Sequence, residues 1–215
     1  YFDEAGALVD VVEKPTNPPN NLAVTGIYLY GANVFFDAFD RIEKSPRGEY
    51  EISSIHSLFL KEKRRVGYTE ITGWWKDTGK PEDLLICNAL LLDGMDEQSF
   101  PRQGTVASDA QIDGNVHIGV GSQIGSGVRI QGPVIIGENC RLENCVIGPY
   151  ATLGTGVEVR GATIENSLVL DNATITHPVH LRGSLIGKKA QIISRQPNDE
   201  MGGMVIVGEK TIITL

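Results

Sequence analysis

From residue 106 onward, large apolar residues recur every six positions, at Val106, Ile112, Ile118, Ile124, Ile130, Ile136 and Leu142. After a five-residue step the series resumes at Ile147, Leu153 and Val159, and after another it runs through Ile164 and Leu170. It blurs towards Leu181 and recovers at Ile186 and Ile192. Small or short residues stand four places after an anchor, at Ala110, Ser122, Val128, Val134, Cys140 and Ala151, while glycine often follows the anchor, as at Gly119, Gly125, Gly137, Gly148 and Gly154. A helix needs spacings of three and four and an ordinary strand a spacing of two, so a period of six predicts short straight edges joined by tight corners. Glycine suits such corners because it tolerates positive φ and has no Cβ. Stacked edges bury a column of Ile, Leu and Val, each worth about 1.5–3 kcal/mol on full burial. One coil alone could not bury that face.

These hexads resemble the repeat of left-handed parallel β-helices, in which three hexads make a triangular coil, and the resemblance implies about five coils over residues 106–197. The hand is implied by the resemblance, and it runs against the usual right-handed crossover. Such helices occur in several functional classes, acyltransferases among them, so the fold alone does not decide function. Acyltransferases of this fold place a histidine near a coil edge, and His117, His177 and His180 are the candidates here. None has a carboxylate partner nearby in sequence, which favours a scaffold and subunit interface. The tail turns polar through Gln196-Pro197-Asn198-Asp199-Glu200 and ends in an apolar run from Met204 to Ile213, expected as a strand capping the end of the core.

The first hundred residues have a different pattern. Ala7–Val12, Val24–Tyr30 and Val66–Ile71 are rich in β-branched and aromatic residues and read as strands. Glu51–Arg65 carries Ile52, Ile55, Leu58 and Phe59 at helical spacing. Another helix is expected from Pro81 to about Gly94, with Glu82 and Asp83 in its first turn to complement the dipole. The expected organisation is an α/β domain over residues 1–95, a linker over 96–104 containing Pro101 and Gly104, and an all-β helix over 105–215.

Composition adds exclusions. A chain of 215 residues, 41% hydrophobic and 21% charged, is long enough for two cores. A net charge of -8 provides no general field for a nucleic-acid backbone or an anionic membrane surface. No apolar run approaches the roughly 20 residues that span a bilayer. Cys87, Cys140 and Cys145 form neither a paired framework nor a CxxC spacing, so reduced thiols and a cytoplasmic location are expected. The chain opens at Tyr1 directly before a strand-like run, which reads as a fragment of a longer protein.

Four segments carry candidate chemistry: Val12-Glu13-Lys14-Pro15, Thr25-Gly26-Ile27-Tyr28, Pro46-Arg47-Gly48-Glu49-Tyr50-Glu51-Ile52, and Gly73-Trp74-Trp75-Lys76-Asp77-Thr78-Gly79-Lys80-Pro81-Glu82-Asp83-Leu84-Leu85. Alone, a Glu-Lys pair at a strand end is an ordinary surface pair, and Asp before Thr-Gly is ordinary turn chemistry. In this order and spacing, the segments resemble the sugar-binding half of the sugar-1-phosphate nucleotidylyltransferases over residues 1–95, with a Rossmann-like domain. Within that family the chain looks most like the long thymidylyltransferases that carry a C-terminal hexapeptide domain.

The resemblance implies that the phosphate oxygen of glucose-1-phosphate attacks the α-phosphorus of dTTP and pyrophosphate leaves. Because that nucleophile is already an anion, neutralisation and alignment matter more than a general base. By the same resemblance, Glu13 meets sugar hydroxyls, Lys14 the sugar and its phosphate, and Gly26 and Tyr28 the pocket wall. Arg47 clamps the phosphate, Glu51 touches the sugar, and Asp77 is one of two carboxylates that hold Mg²⁺. Ser53-Ser54 stands where relatives commonly have Thr-Asp, and His56 reads as an exposed helix-face residue. The glycine-rich, arginine-containing phosphate loop of the family is not present, nor is a GxGxxG or GxxxxGK[ST] motif, so this chain alone is expected to be inactive. Uridylyl, guanylyl or adenylyl transfer, a bifunctional enzyme with an acyltransferase site, and a non-catalytic sugar-phosphate-binding paralogue stay open. A homo-oligomer, as a trimer through the β-helix, is implied by the compared families.

Overall fold

A computed structural model describes residues 1–176, 178–193 and 201–214. It divides into two compact units, Tyr1–Gly73 and Trp74–Leu215.

In the second unit, short parallel strands form three sheets of seven, six and six strands among the described residues. Each sheet stacks strands from successive coils, so the inward positions line up in register as three columns. One column runs Ile124, Leu142, Val159, Ile175 and Ile192. The second runs Ile112, Ile130, Ile147, Ile164 and Leu181. The third runs Ile118, Ile136, Leu153, Val169 and Ile186. Together with Val128, Val134, Cys140, Ala151 and other short residues, they form one continuous buried core. The second unit is the parallel β-helix that the period of six implied.

The register corrects one anchor. Val169 is 1% exposed and Leu170 is 37% exposed, so the series steps by five from Ile164 to Val169 and then by six through Ile175 and Leu181. Leu168, Val169 and Leu170 are all apolar, and only pairing with Leu153 and Ile186 selects the middle one. The C-terminal end also differs from expectation. Met201–Gly203, Ile206–Val207 and Ile212–Thr214 each pair in parallel with the preceding strand of their sheet, so they extend the helix to a sixth coil and beyond instead of lying across its end as a cap. The polar stretch 196–200 and His177 lie outside the described residues.

Gly119 and Gly137 show what the corners demand. A Cβ on Gly119 would stand 2.5 Å from the Gly137 carbonyl oxygen, and one on Gly137 would stand 2.7 Å from the Gly154 carbonyl carbon, so only glycine lets successive coils close at the backbone. Serines solve a second problem. The buried Ser122 hydroxyl donates to the Gly137 carbonyl at 2.7 Å and accepts the Cys140 N–H at 2.9 Å, bridging two coils. Ser167 and Ser184 repeat the device lower down, accepting the amides of Ser184 and Val205.

Helix Pro81–Gly94 belongs to this second unit, with Pro81 at its first position and the Asp83 carboxylate accepting the Lys80 N–H at 3.0 Å. Leu85 and Leu92 are buried on the face that also carries Asn88. Asn88 donates to the Tyr150 carbonyl at 3.1 Å and accepts the Thr152 hydroxyl at 2.7 Å, while the Tyr150 hydroxyl donates to Asp93 at 2.9 Å. The helix is thereby fastened to the third coil.

The first unit holds helices Val34–Phe39 and Ile52–Lys61 around a small core of Ala38, Ile55 and Phe59, packed with Tyr30, Val34, Phe35, Ile42, Leu58 and Val66. The second helix stops at Lys61, short of Arg65, because Lys63 turns left-handed at φ 57° and its amide and that of Arg64 return to the Leu60 and Phe59 carbonyls. The three segments expected as strands do not form a sheet among the described residues; the sole pairing there is a Phe2–Leu8 bridge. Their composition suits strands, but a strand is a property of a hydrogen-bonded pair, and Ile27 and Leu29 stand 84% and 99% exposed. Among the described residues no helix is long and apolar enough to cross a membrane.

Candidate functional site

The turn Ser45–Glu49 delivers Arg47. Ser45 and Glu49 close it through the Ser45 N–H on the Glu49 carbonyl at 2.8 Å, and Gly48 occupies the left-handed position at φ 80°. Chain direction then brings Glu51 to the start of helix Ile52–Lys61 in extended conformation, nearly buried.

Arg47 is the hub of a charged cluster. Its guanidinium lies 3.7 Å from Glu13, 3.1 Å from Glu49 and 3.4 Å from Glu51. The Ser45 hydroxyl donates to the same Glu51 oxygen at 2.9 Å and accepts the Arg47 N–H at 3.2 Å, fixing the side chain and backbone of the turn together. Lys14, with its backbone at φ 40°, points its ammonium to within 4.0 Å of Glu13. Four residues singled out in sequence, Glu13, Lys14, Arg47 and Glu51, therefore share one site. Glu49 was not singled out; its position two residues beyond Arg47 in a tight turn was the available signal.

Chemically, the cluster offers two cations for a phosphate and carboxylates for hydroxyl groups. Arg47 is already engaged by three carboxylates, so an incoming phosphate must compete with Glu13 and Glu49 for its fork. These exposed pairs are individually weak, which keeps that exchange accessible.

Tyr28 belongs to an adjoining aromatic cluster. Its ring lies 5.2 Å from His56 and 6.3 Å from Tyr30. Burial raises the Tyr28 phenol above its ordinary pKa, and the charge of Glu13 raises it further. His56 is not an exposed helix-face residue: it is half-buried and shares a 2.9 Å hydrogen bond with the Tyr30 hydroxyl. Burial lowers its pKa, favouring the neutral imidazole. Gly26 is exposed, and nothing in the described chain lies within 4 Å of where a Cβ would stand.

Asp77 lies in the second unit, exposed beside Gly79, with a carboxylate oxygen 3.6 Å from the position of a Gly79 Cβ. Its neighbour Lys76 bonds Asp83 at 2.6 Å, an arrangement that raises the lysine pKa and lowers that of the aspartate. An exposed carboxylate fits one ligand position of Mg²⁺, a hard cation that keeps several waters and takes substrate phosphate oxygens as further ligands. Among the described residues no three His, Cys, Asp or Glu side chains gather as a preformed metal cage.

On the β-helix, His117 is half-buried on an outer sheet face. His180 has the carboxylate partner that its sequence neighbourhood lacks: Glu165, one coil earlier, lies 3.5 Å away and also pairs with Arg182 at 3.8 Å. Stacking of coils, with Thr163 beside His180, makes neighbours of residues 15 apart.

Residues 1–94 match the model of the nucleotidyl transferase family, and residues 130–214 match that of the GMPPB C-terminal domain. The chain is 36% identical over 214 residues to the low-salt glycan biosynthesis nucleotidyltransferase Agl11 of Haloferax volcanii, covering 99% of this chain and 59% of that protein. It is 33% identical to a glucose-1-phosphate thymidylyltransferase of Streptomyces antibioticus, covering 89% and 52% of the two chains. It is 32% identical to a bifunctional sugar-1-phosphate nucleotidylyltransferase/acetyltransferase of Sulfurisphaera tokodaii, covering 87% and 46%. The chain thus spans about half the length of the curated relatives it matches.

Proposed function

We propose that this chain, whose residues 1–94 match the nucleotidyl transferase family, is the sugar-phosphate-binding part and β-helical scaffold of a Mg²⁺-dependent glucose-1-phosphate thymidylyltransferase, acting in nucleotide-sugar biosynthesis. The observation that supports it is the convergence of Glu13, Lys14, Arg47 and Glu51 at one site. Thymidylyl rather than another transfer is favoured by the likeness to the Streptomyces enzymes.

In this reading, the sugar-phosphate oxygen attacks the α-phosphorus of dTTP and pyrophosphate departs. Arg47 turns its planar fork from the carboxylates to the phosphate, and Lys14 adds a second positive charge. Glu13 and Glu51 accept hydrogen bonds from sugar hydroxyls, and Tyr28 forms a wall. Magnesium, held in part by Asp77, supplies charge neutralisation at phosphate oxygens when bound. The β-helix serves as scaffold and subunit interface of a homo-oligomer, with a trimer the arrangement to test by sedimentation.

The test is pyrophosphate release by the full-length enzyme containing this chain, with Mg²⁺ and glucose-1-phosphate, against dTTP, UTP, GTP, CTP and ATP separately. Preference for dTTP supports the proposal. Release with another nucleotide alone keeps the mechanism and changes the product, and no release with any sugar-1-phosphate defeats it. A second activity, acetyl transfer, is favoured by the His180–Glu165 pair and by the likeness to the bifunctional Sulfurisphaera tokodaii enzyme. Acetyl transfer from acetyl-coenzyme A that vanishes in His180→Ala would establish it, and its absence in the wild type would remove it.

A further inference from the structure

We propose that His56 is a positioning residue for the sugar site, completing with Tyr30 the ring cluster that holds the Tyr28 ring in place. This rests on the reading of Tyr28 as part of the sugar-pocket wall.

Tyr30 is the fixed end of the device. Its ring packs into the core of the first unit, 5.2 Å from Phe35 and 6.3 Å edge-on from Phe59. Its hydroxyl, which could otherwise face a ligand, is spent on Nε2 of His56 at 2.9 Å. The imidazole lies nearly parallel to the Tyr30 ring, 11° between planes at 5.9 Å, and so is oriented by both a hydrogen bond and ring packing. Its other neighbour is Tyr28, 5.2 Å away at 36°. Tyr28 itself has no strand partner among the described residues and is flanked by the exposed Ile27 and Leu29. Among the described residues its ring neighbours are Tyr30 and His56.

Helix Ile52–Lys61 links this device to the charged cluster. It carries His56, and Glu51, immediately before it, takes Arg47 and Ser45. Burial raises the Tyr28 phenol, and the charge of Glu13 adds to the rise. The same helix thus sets the phosphate-facing and the aromatic sides of the site relative to each other. Precise placement of such a wall acts on substrate affinity before chemistry.

The experiment has two readouts. In the full-length enzyme, Tyr30→Phe and His56→Phe each remove the hydrogen bond while keeping a ring. Each should raise KM for the sugar phosphate about threefold to tenfold, as loss of one net hydrogen bond would. They should leave kcat and the nucleotide KM within about twofold, and the double variant should be no worse than either single one. His56→Gln, which restores a hydrogen-bonding partner, should recover part of the loss. An unchanged sugar-phosphate KM in both Phe variants overturns the proposal. In the present chain, NMR of ring-labelled Tyr28 gives an answer independent of the reaction. Greater ring mobility in both Phe variants supports positioning, and unchanged order in both overturns it. Failure of the enzyme to turn over any sugar-1-phosphate would instead defeat the proposed function, leaving the ring measurement to decide the role of His56.

Discussion

Asn88 on the helix Pro81–Gly94 accepts a 2.7 Å hydrogen bond from Thr152, 64 residues further along, while its amide nitrogen donates to the carbonyl of Tyr150. One side chain therefore satisfies two polar groups of the third coil, and Tyr150 returns a bond to Asp93 one turn later on the same helix. Asn88→Leu, which fills the space without either bond, should lower the stability of the helix contact by about 1–3 kcal/mol. Hydrogen exchange at amides 85–92 should quicken before exchange in the coils does. Equal protection in variant and wild type would remove Asn88 from this role.

Ser122 is a similar case inside the core. Ser122→Ala leaves the Cys140 amide and the Gly137 carbonyl without their buried partner, and urea denaturation should show a loss of about 1–3 kcal/mol with the slope unchanged. Ser122→Val should cost more, since its extra volume must fit between coils that already touch.

The cysteines should differ in reactivity. Burial pushes the Cys145 thiol up to about 12 and raises Cys140 as well, and the Cys140 thiol lies 3.0 Å from the Gly154 carbonyl, so neither supplies thiolate at neutral pH. Alkylation of the native chain near pH 8, mapped by mass spectrometry, should mark half-buried Cys87 first and reach the other two only after unfolding.

Acid should weaken the β-helix through its corner aspartates. Lys188 and the Thr155 N–H hold Asp171 below its ordinary pKa, and the Ser126 hydroxyl and Gly127 N–H do the same for Asp109. The unfolded chain takes up these protons first as pH falls, so their contribution is present above the ordinary carboxylate value and is lost as pH drops through the lowered folded values. Urea midpoints from pH 7 to 3 should fall, and the fall should be shallower in Asp171→Asn.

At the charged cluster, Arg47→Lys keeps the charge and loses the fork. The expected result in the full-length enzyme is a rise of about tenfold or more in sugar-phosphate KM, with Arg47→Gln worse. A wild-type KM in Arg47→Lys would show that the guanidinium contacts only Glu13, Glu49 and Glu51.

The period of six was enough to specify stacked coils, because burying Ile, Leu and Val on one side every six residues admits few other solutions. Pro81 followed by Glu82 and Asp83 likewise marked a helix start, since capping and dipole effects are local. The charged residues of the candidate site were legible as motifs, and their order implied a common site without giving its geometry. Tertiary structure decided what depends on pairing at long range. It chose Val169 over Leu170 because only one of them stacks between Leu153 and Ile186. It joined His180 to Glu165 and Asn88 to Thr152, since neighbouring coils or packed elements bring together residues that sequence separates. It also packed His56 against both Tyr28 and Tyr30, so that a histidine on a helix face meets rings contributed by another segment.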